Sequence, residues 1–330
     1  MVKHLFRHVS PAALLLLASS PIVALSSLNA QPYPSGPIRI ISATAPGNPS
    51  DVVSRIIATE LAETENWRVI VENKPGAITT IGAAEVLRQP ADGHTVLVTA
   101  LSASAAAALL PHIGFRFDTD FAPVSKLATA YHVLVVHPSV RAKTLPELVA
   151  LLKSQPDQMR FSSGGFGTPA HLAGEMFKLQ TGVRASHVPY NTLPRALGDL
   201  LNGTNHYQFI SPLPVMDLIA TGKLRALAVT GPKRLPDLPN VPTVGEAGFP
   251  DLIIQDWFGF LVKTGAPDDV VTRLNGATNK ALAKPRVREA IARLAAEPAG
   301  GTPQEFGEFF RSQLAHWGSV VKESGIKMHQ

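Results

Sequence analysis

The order of apolar patterns along the chain predicts an α/β protein made of two strand–helix units. Three observations carry that prediction. Strand-like and helix-like stretches alternate from residue 38 onward. The composition, 45% apolar and 17% charged residues, belongs to a chain with packed cores and not to a disordered one. The length, 330 residues, fits about two domains.

In the first unit, Ile38–Ser42 reads as a strand, and Asp51–Glu63 as a helix with Val52, Ile56, Ile57 and Leu61 on one face. Trp67–Glu72 is a strand, Ile78–Leu87 a helix, Thr95–Thr99 a strand and Ala103–Leu110 an alanine-rich helix. This order predicts a parallel sheet covered by helices. Tyr131–His137 reads as an apolar strand ended by Pro138. A second cycle follows: helix Leu145–Lys153, strand Met159–Ser162, helix Pro169–Gln180, strand Ser186–Val188 and helix Pro194–Leu201. It continues with strand Tyr207–Ile210, helix Val215–Thr221 and strand Arg225–Thr230. After a Pro- and Gly-rich loop, Gly231–Pro250, the apolar stretch Leu252–Lys263 suits a returning strand. The tail reads as three helices, Asp268–Leu282, Pro285–Leu294 and Pro303–Glu323. The second unit is therefore inserted between the first and its tail, with strands near 131–137 and 252–263 at the crossings.

The start of the chain follows another pattern. Lys3 and Arg7 precede the apolar run Ala12–Ala18, and Leu28-Asn29-Ala30 ends on a small residue. This is a secretory signal pattern, and Ser19-Ser20-Pro21 makes it too short for a spanning helix. The expected division is a signal peptide at 1–30 removed near Ala30, one lobe from 31–133 with 255–330, and a second lobe at 134–254.

Composition excludes several classes. With no cysteine there is no disulfide scaffold, thiolate metal site or thiol nucleophile. The excess of 30 Lys and Arg over 25 Asp and Glu is small and dispersed, and two of those cations lie in the leader. Nucleic acid is therefore not an expected partner. The histidines form no metal-binding cluster, and no cofactor is expected.

Four strand-to-helix loops are candidates for chemistry. The first, Thr44–Asp51, contains Gly47, Asn48 and Pro49, and Ser50 or Asp51 can cap the helix after it. It reads either as an ordinary capped turn or as an anion cradle of free backbone N–H groups. Asp51 is expected to serve mainly the fold as a helix cap, so that Asn in its place keeps most binding and stability. The second loop, Phe161–His171, carries Gly165, Gly167 and Thr168. Its G-x-G-x-x-A spacing would suit a dinucleotide, but no carboxylate stands between Glu175 and Asp199 to hold a ribose. The third loop holds Ser102 and Ser104, and the fourth holds Tyr190 and Asn191. Ligands of open α/β sheets sit outside the carboxyl ends of the strands, where all four loops lie. An exported α/β enzyme, hydrolase-like, is the alternative: Ser163 or Ser102 would need a base within reach, although no G-x-S-x-G elbow is present.

Pro46-Gly47 with Asp51 and Arg55, Val71-Glu72-Asn73-Lys74-Pro75-Gly76-Ala77, Asp92-Gly93-His94-Thr95 and Asp120-Phe121-Ala122-Pro123-Val124 together resemble the tripartite tricarboxylate transporter receptors, or Bug-type solute-binding proteins. Gly165-Phe166-Gly167-Thr168, His187-Val188-Pro189-Tyr190, Gly222-Lys223-Leu224-Arg225-Ala226 and Val241-Pro242-Thr243 extend the resemblance over 33–327. It implies a periplasmic binding protein fold, two α/β lobes around a cleft joined by two crossing hinge strands. It also implies a non-enzymatic, periplasmic, monomeric receptor that passes a small carboxylate-bearing anion to membrane transporter subunits. The carboxylate would be held by the Gly47–Asp51 and Gly165–Thr168 loops, supported by Ser102, Ser104, Tyr190 and Asn191. Four positions depart from the pattern: Asn48 for a glycine, Asn191-Thr192 for a basic residue and Gly, and His206 for an Asp.

Overall fold

The computed structural model describes residues 33–326; the predicted signal peptide lies outside the described residues. Two mixed sheets organise the described residues. The first is built from β1 (Ile38–Ser42), β2 (Val69–Asn73), β3 (Thr95–Ala100), β4 (Phe121–Tyr131), β10 (Gln255–Lys263) and β11 (Ala296–Pro298), in the order β11-β4-β10-β3-β1-β2. The second holds β5 (Val133–Val136), β6 (Arg160–Ser163), β7 (Ser186–Pro189), β8 (Tyr207–Ile210) and β9 (Arg225–Val229), in the order β7-β6-β8-β5-β9. Helices α1 (Pro49–Thr64), α2 (Thr80–Leu87) and α3 (Leu101–Leu109) belong to the first cycle, and α4 (Leu145–Ser154), α5 (Pro169–Thr181), α6 (Leu193–Leu201) and α7 (Met216–Ala220) to the second. The tail adds α8 (Asp268–Ala283), α9 (Pro285–Ala292) and α10 (Pro303–Ser324).

The wholly parallel sheet expected from strand–helix order is corrected here. Strands β2, β1 and β3 are parallel, but β10 pairs antiparallel with β3 and with β4. In the second sheet β7, β6 and β8 are parallel while β5 runs antiparallel to β8 and β9. The cause is topological: a strand that returns from the other lobe enters the sheet end-on and needs no helical crossover.

The single strand expected over 131–137 is two strands that meet at His132, one in each sheet. At that break three chain segments are laced together. His132 N–H donates to Thr230 Oγ1 at 2.8 Å, and Thr230 N–H donates to His132 O at 2.8 Å. The Thr230 hydroxyl donates in turn to Ile254 O at 2.9 Å, and Ile254 N–H returns a bond to Thr230 O at 3.2 Å. Both crossings between the sheets thus run through one buried hydroxyl.

The returning strand β10 is buried almost throughout. Trp257 on it packs against Phe306, Phe309 and Phe310 of α10, with ring centroids 5.4–5.8 Å apart. Each such ring buried contributes about 1.5–3 kcal/mol. Gly259 lets α10 come this close, because a Cβ there would lie 2.1 Å from Phe306 Cζ. The long helix starts on a capping box, Thr302 Oγ1 accepting from Glu305 N–H and Glu305 Oε2 accepting from Thr302 N–H, and stops at Gly325 with φ +66°. The tail therefore fixes β10, and β10 fixes where the second lobe joins the first.

Candidate ligand-binding cleft

A cavity of about 670 Å³ opens between the two sheets. From the first lobe it is lined by Thr44–Ser50, Ala100, Ser102, Asp256 and Phe258. From the second it is lined by Gly164, Thr168–Ala170, Asn191–Pro194 and Phe209–Ser211, with His132 at the crossing. Four helix N-termini converge here: the N-cap residues of α1 (Asn48), α3 (Ala100), α5 (Thr168) and α6 (Thr192) all line the cavity. Each helix start carries backbone N–H donors without helical partners and a partial positive charge. The side chains of Asn48 and Thr192 make no cap bond. No lysine or arginine lines the cavity among the described residues.

The first loop is held from behind. Gly47, at φ +83°, turns its N–H to Asp51 Oδ2 at 2.9 Å. Arg55 Nε donates to the same oxygen at 3.1 Å, and Asn73 Nδ2 donates to Asp51 Oδ1 at 2.7 Å. Burial works against the Asp51 charge, but the bonds from Arg55, Gly47 and Asn73 outweigh it and hold the carboxyl below the usual range. Asp51 therefore does not cap α1 as expected; it sits in the first turn and ties the preceding loop down. Ser50 is bonded to Thr44 through their hydroxyls at 2.8 Å. Gly47, Asn48 and Ser50 line the cavity, and Asp51 does not.

The second loop is built around Ser163, Thr168 and two histidines. Thr168 caps α5 by accepting from His171 N–H, and its own hydroxyl donates to Gly165 O at 2.7 Å. Gly167 N–H donates to His171 Nδ1 at 3.1 Å. Gly165 and Gly167 take φ of +129° and +70° and shape the turn from outside the cavity lining. Tyr190 is turned away from the cleft: its hydroxyl donates to Asp199 Oδ2 at 2.6 Å and accepts from Asn205 Nδ2 at 2.8 Å. Ser104 is buried on the far side of α3, bordering a separate hollow with Phe115 and Leu314. Of the predicted site residues the cavity thus gathers Gly47, Asn48, Ser50, Ser102, Thr168 and Asn191, and leaves out Asp51, Ser104, Gly165, Gly167 and Tyr190. His206 pairs with Arg160 through backbone and ring, also outside the lining.

The enzymatic alternative asks for a base near Ser163, and one is there: His187 Nε2 lies 2.7 Å from Ser163 Oγ. The pair does not face the cavity. Ser163 is fully buried, and its hydroxyl is also bonded to the carbonyl and the N–H of Gly165. This serine closes the turn.

The sequence profile of the tripartite tricarboxylate transporter family receptor matches residues 53–326. The chain belongs to that family. The receptor is 33% identical to protein BugT of Bordetella pertussis over 316 residues, 95% of this chain and 96% of BugT. Among solved structures it is similar to Rpa4515 of R. palustris with adipate, at 30% identity and a TM-score of 0.80, covering 89% of this chain and 99% of that one. It is similar as well to MatC of Rhodopseudomonas palustris with bound malate, at 29% identity and a TM-score of 0.77, covering 88% and 100%. The protein is an extracytoplasmic solute-binding receptor with two α/β lobes.

Two titratable lining residues of the receptor were not anticipated as site residues from the sequence, His132 and Asp256. Both are buried. The one available signal was a lone carboxylate inside the apolar run Leu252–Lys263. Burial pushes Asp256 up to about 7 and His132 down to about 4, so each is held toward its neutral form.

Proposed function

We propose that this receptor captures a small carboxylate-bearing solute in the cleft, without catalysis, and delivers it to the membrane subunits of a tripartite tricarboxylate-type transporter. The observation that carries the reading is the convergence of four helix N-termini on a cavity lined by no lysine or arginine. A carboxylate at such a site is held by backbone N–H groups and hydroxyls, each helix end adding about 0.3–1 kcal/mol. In this reading Gly47, Asn48 and Ser50 act from one lobe and Thr168, Asn191 and Thr192 from the other, with Ser102 beside them. Asp51, Gly165, Gly167 and Tyr190 shape the loops. The relatives solved with adipate and with malate support the ligand class.

The protein works as a monomer in the periplasm, with the lobe division at 31–133 and 255–330 against 134–254 and the first crossing at His132. Contacts from both lobes to one ligand favour the closed arrangement only by what they add there, so a few hydrogen bonds at about 0.5–1.5 kcal/mol each shift the balance tenfold or more. The test combines mass spectrometry of solute released from the purified protein with a thermal-shift panel of organic acids and X-ray scattering. A released carboxylate, a raised melting temperature without turnover and a smaller radius of gyration are expected. Chemical conversion of the solute, or a panel in which no carboxylate raises the melting temperature, overturns the reading.

A further inference from the structure

Asp256 is the one carboxyl side chain among the described residues that line the cleft, and no lysine or arginine lines it. It stands near the start of β10, 8% exposed, and lines the cleft together with Phe258 of the same strand. Its Oδ1 accepts the Trp257 N–H at 2.9 Å, and the carboxyl stands near enough to the backbone N–H of Leu101, first residue of α3, for that donor to favour its ionised form. The carboxyl thus holds the place at the head of α3 that an external anion would take, and leaves the heads of α1, α5 and α6 for the solute.

That arrangement sets an electrostatic condition on the solute. No cation lines the cavity to offset Asp256, and His132, the other titratable lining group, is neutral at pH 7 because burial pushes it down to about 4. A plain dicarboxylate is accommodated only once Asp256 takes up a proton, because two negative charges beside an ionised carboxyl without a counter-ion are costly at short range. A solute that brings its own ammonium group removes that cost and meets the carboxylate in a charge-assisted hydrogen bond. The cavity's formal charge and the donor-rich helix ends together match a carboxylate that also carries a positive charge.

We propose that Asp256 is the specificity-determining residue of this receptor: it accepts a hydrogen bond from an ammonium group that the solute carries beside its carboxylate, so that amino-acid-like carboxylates are taken in preference to plain dicarboxylates. The proposal rests on the carboxylate-receptor reading above. A purely structural Asp256, capping α3 and nothing more, would show no such preference.

The experiment is titration calorimetry with acids of matched carbon skeleton: succinate, malate and aspartate, with glutarate and glutamate as a longer pair. The wild-type receptor is expected to bind at least one ammonium-bearing member tenfold or more tighter than its plain partner, with malate between succinate and aspartate. Asp256→Asn should bring each pair within threefold, its fold checked by circular dichroism. Where that variant does not fold, the wild-type pH profile decides. Burial holds the empty-cleft carboxyl at about 7, so affinity for the ammonium-bearing acid should fall as pH drops below 7 while affinity for the plain acid does not. Equal wild-type affinity within both pairs, a preference that survives in Asp256→Asn, or a flat pH profile overturns the proposal and leaves the receptor reading standing. If neither these acids nor any other carboxylate binds the folded protein, both fail together.

Discussion

The imidazoles of His171 and His187 lie stacked, with ring centroids 4.1 Å apart and 26° from parallel. Phe161 stacks on His187 at 4.8 Å and Phe166 meets both histidines edge-on. His171 Nδ1 accepts the Gly167 N–H, so that nitrogen carries no proton. Two imidazolium rings cannot share such a stack. Burial, with Lys178 nearby, pushes His171 down to about 4; burial, His171 and Lys178 together push His187 down to about 3.

The consequence is acid sensitivity. A histidine whose folded pKa lies below its unfolded value binds fewer protons when folded. Its stability contribution is complete above about pH 6.5 and is lost as pH falls toward 4, by about 1.4 kcal/mol per pH unit for each ring. His132, held at about 4 by burial, adds a third such group, while Asp256, raised to about 7, works in the opposite direction over the same range. Three against one leaves a net loss. Calorimetric melting from pH 7.5 to 4.5 should show the melting temperature falling, and His187→Gln should make that fall shallower. A flat profile contradicts it.

Asp51→Asn is expected to lower stability by about 1–3 kcal/mol, because an amide offers one accepting oxygen where the carboxylate answers Gly47, Arg55 and Asn73. Contrary to the expectation from the sequence, the same change should also weaken solute binding, because the carboxylate ties down the Gly47–Ser50 loop instead of capping α1. Denaturant unfolding and calorimetry measure the two effects. Unchanged stability would show that this carboxylate is not the tie it looks to be from its bonds.

Tyr190→Phe and Thr168→Ala should separate. The first removes bonds to Asp199 and Asn205 away from the cavity, costing about 1 kcal/mol of stability and leaving affinity within threefold. The second removes a helix cap that also lines the cavity. It should cost about 0.5–2 kcal/mol and reduce affinity more than its sibling. An affinity loss confined to Tyr190→Phe would reverse this assignment.

Gly167 packs against Ile78 of the first lobe: a Cβ on Gly167 would come within 2.7 Å of Ile78 Cγ2. Ile78 is presented by a left-handed turn in which Ala77, Ile78 and Thr79 all have positive φ. Gly167→Ala, at φ +70°, should therefore hinder approach of the lobes and lower affinity, and Ile78→Ala should restore part of the loss. Solution scattering with saturating solute would read the closure directly; full compaction in Gly167→Ala would exclude the contact as a stop.

Most of the elements and the four loops were legible because each strand-to-helix turn announces itself by Gly, Pro or a hydroxyl before an apolar periodic run. Two strands were not. β4 reads FAPVSKLATAY, where Pro123, Ser125 and Lys126 break the alternation, and pairing with β10 and β11 makes it a strand. β11 is three residues on a sheet edge. Within the site, backbone donors could be placed by loop position, but side-chain direction could not. Tyr190 and Asp51 find partners behind the loops, and Asp256 faces the cavity from a strand whose pattern says only that it is buried.

The place of β10 between β3 and β4 has a bearing on how the chain acquires its shape. Every strand of the second sheet lies within one continuous stretch, 133–229, whereas the first sheet pairs residues 95–100 and 121–131 with 255–263. Closing those long loops costs more entropy than closing the short ones, and slows formation accordingly. The second lobe is thus expected to assemble early and on its own. The first lobe stays an open half-sheet, its β3 and β4 edges unpaired, until the returning segment threads between them. An unpaired apolar edge of that kind is a target for chaperones and for other chains. For this protein the late arrival of Trp257, Phe258 and Phe260 marks the end of the interval in which it is vulnerable.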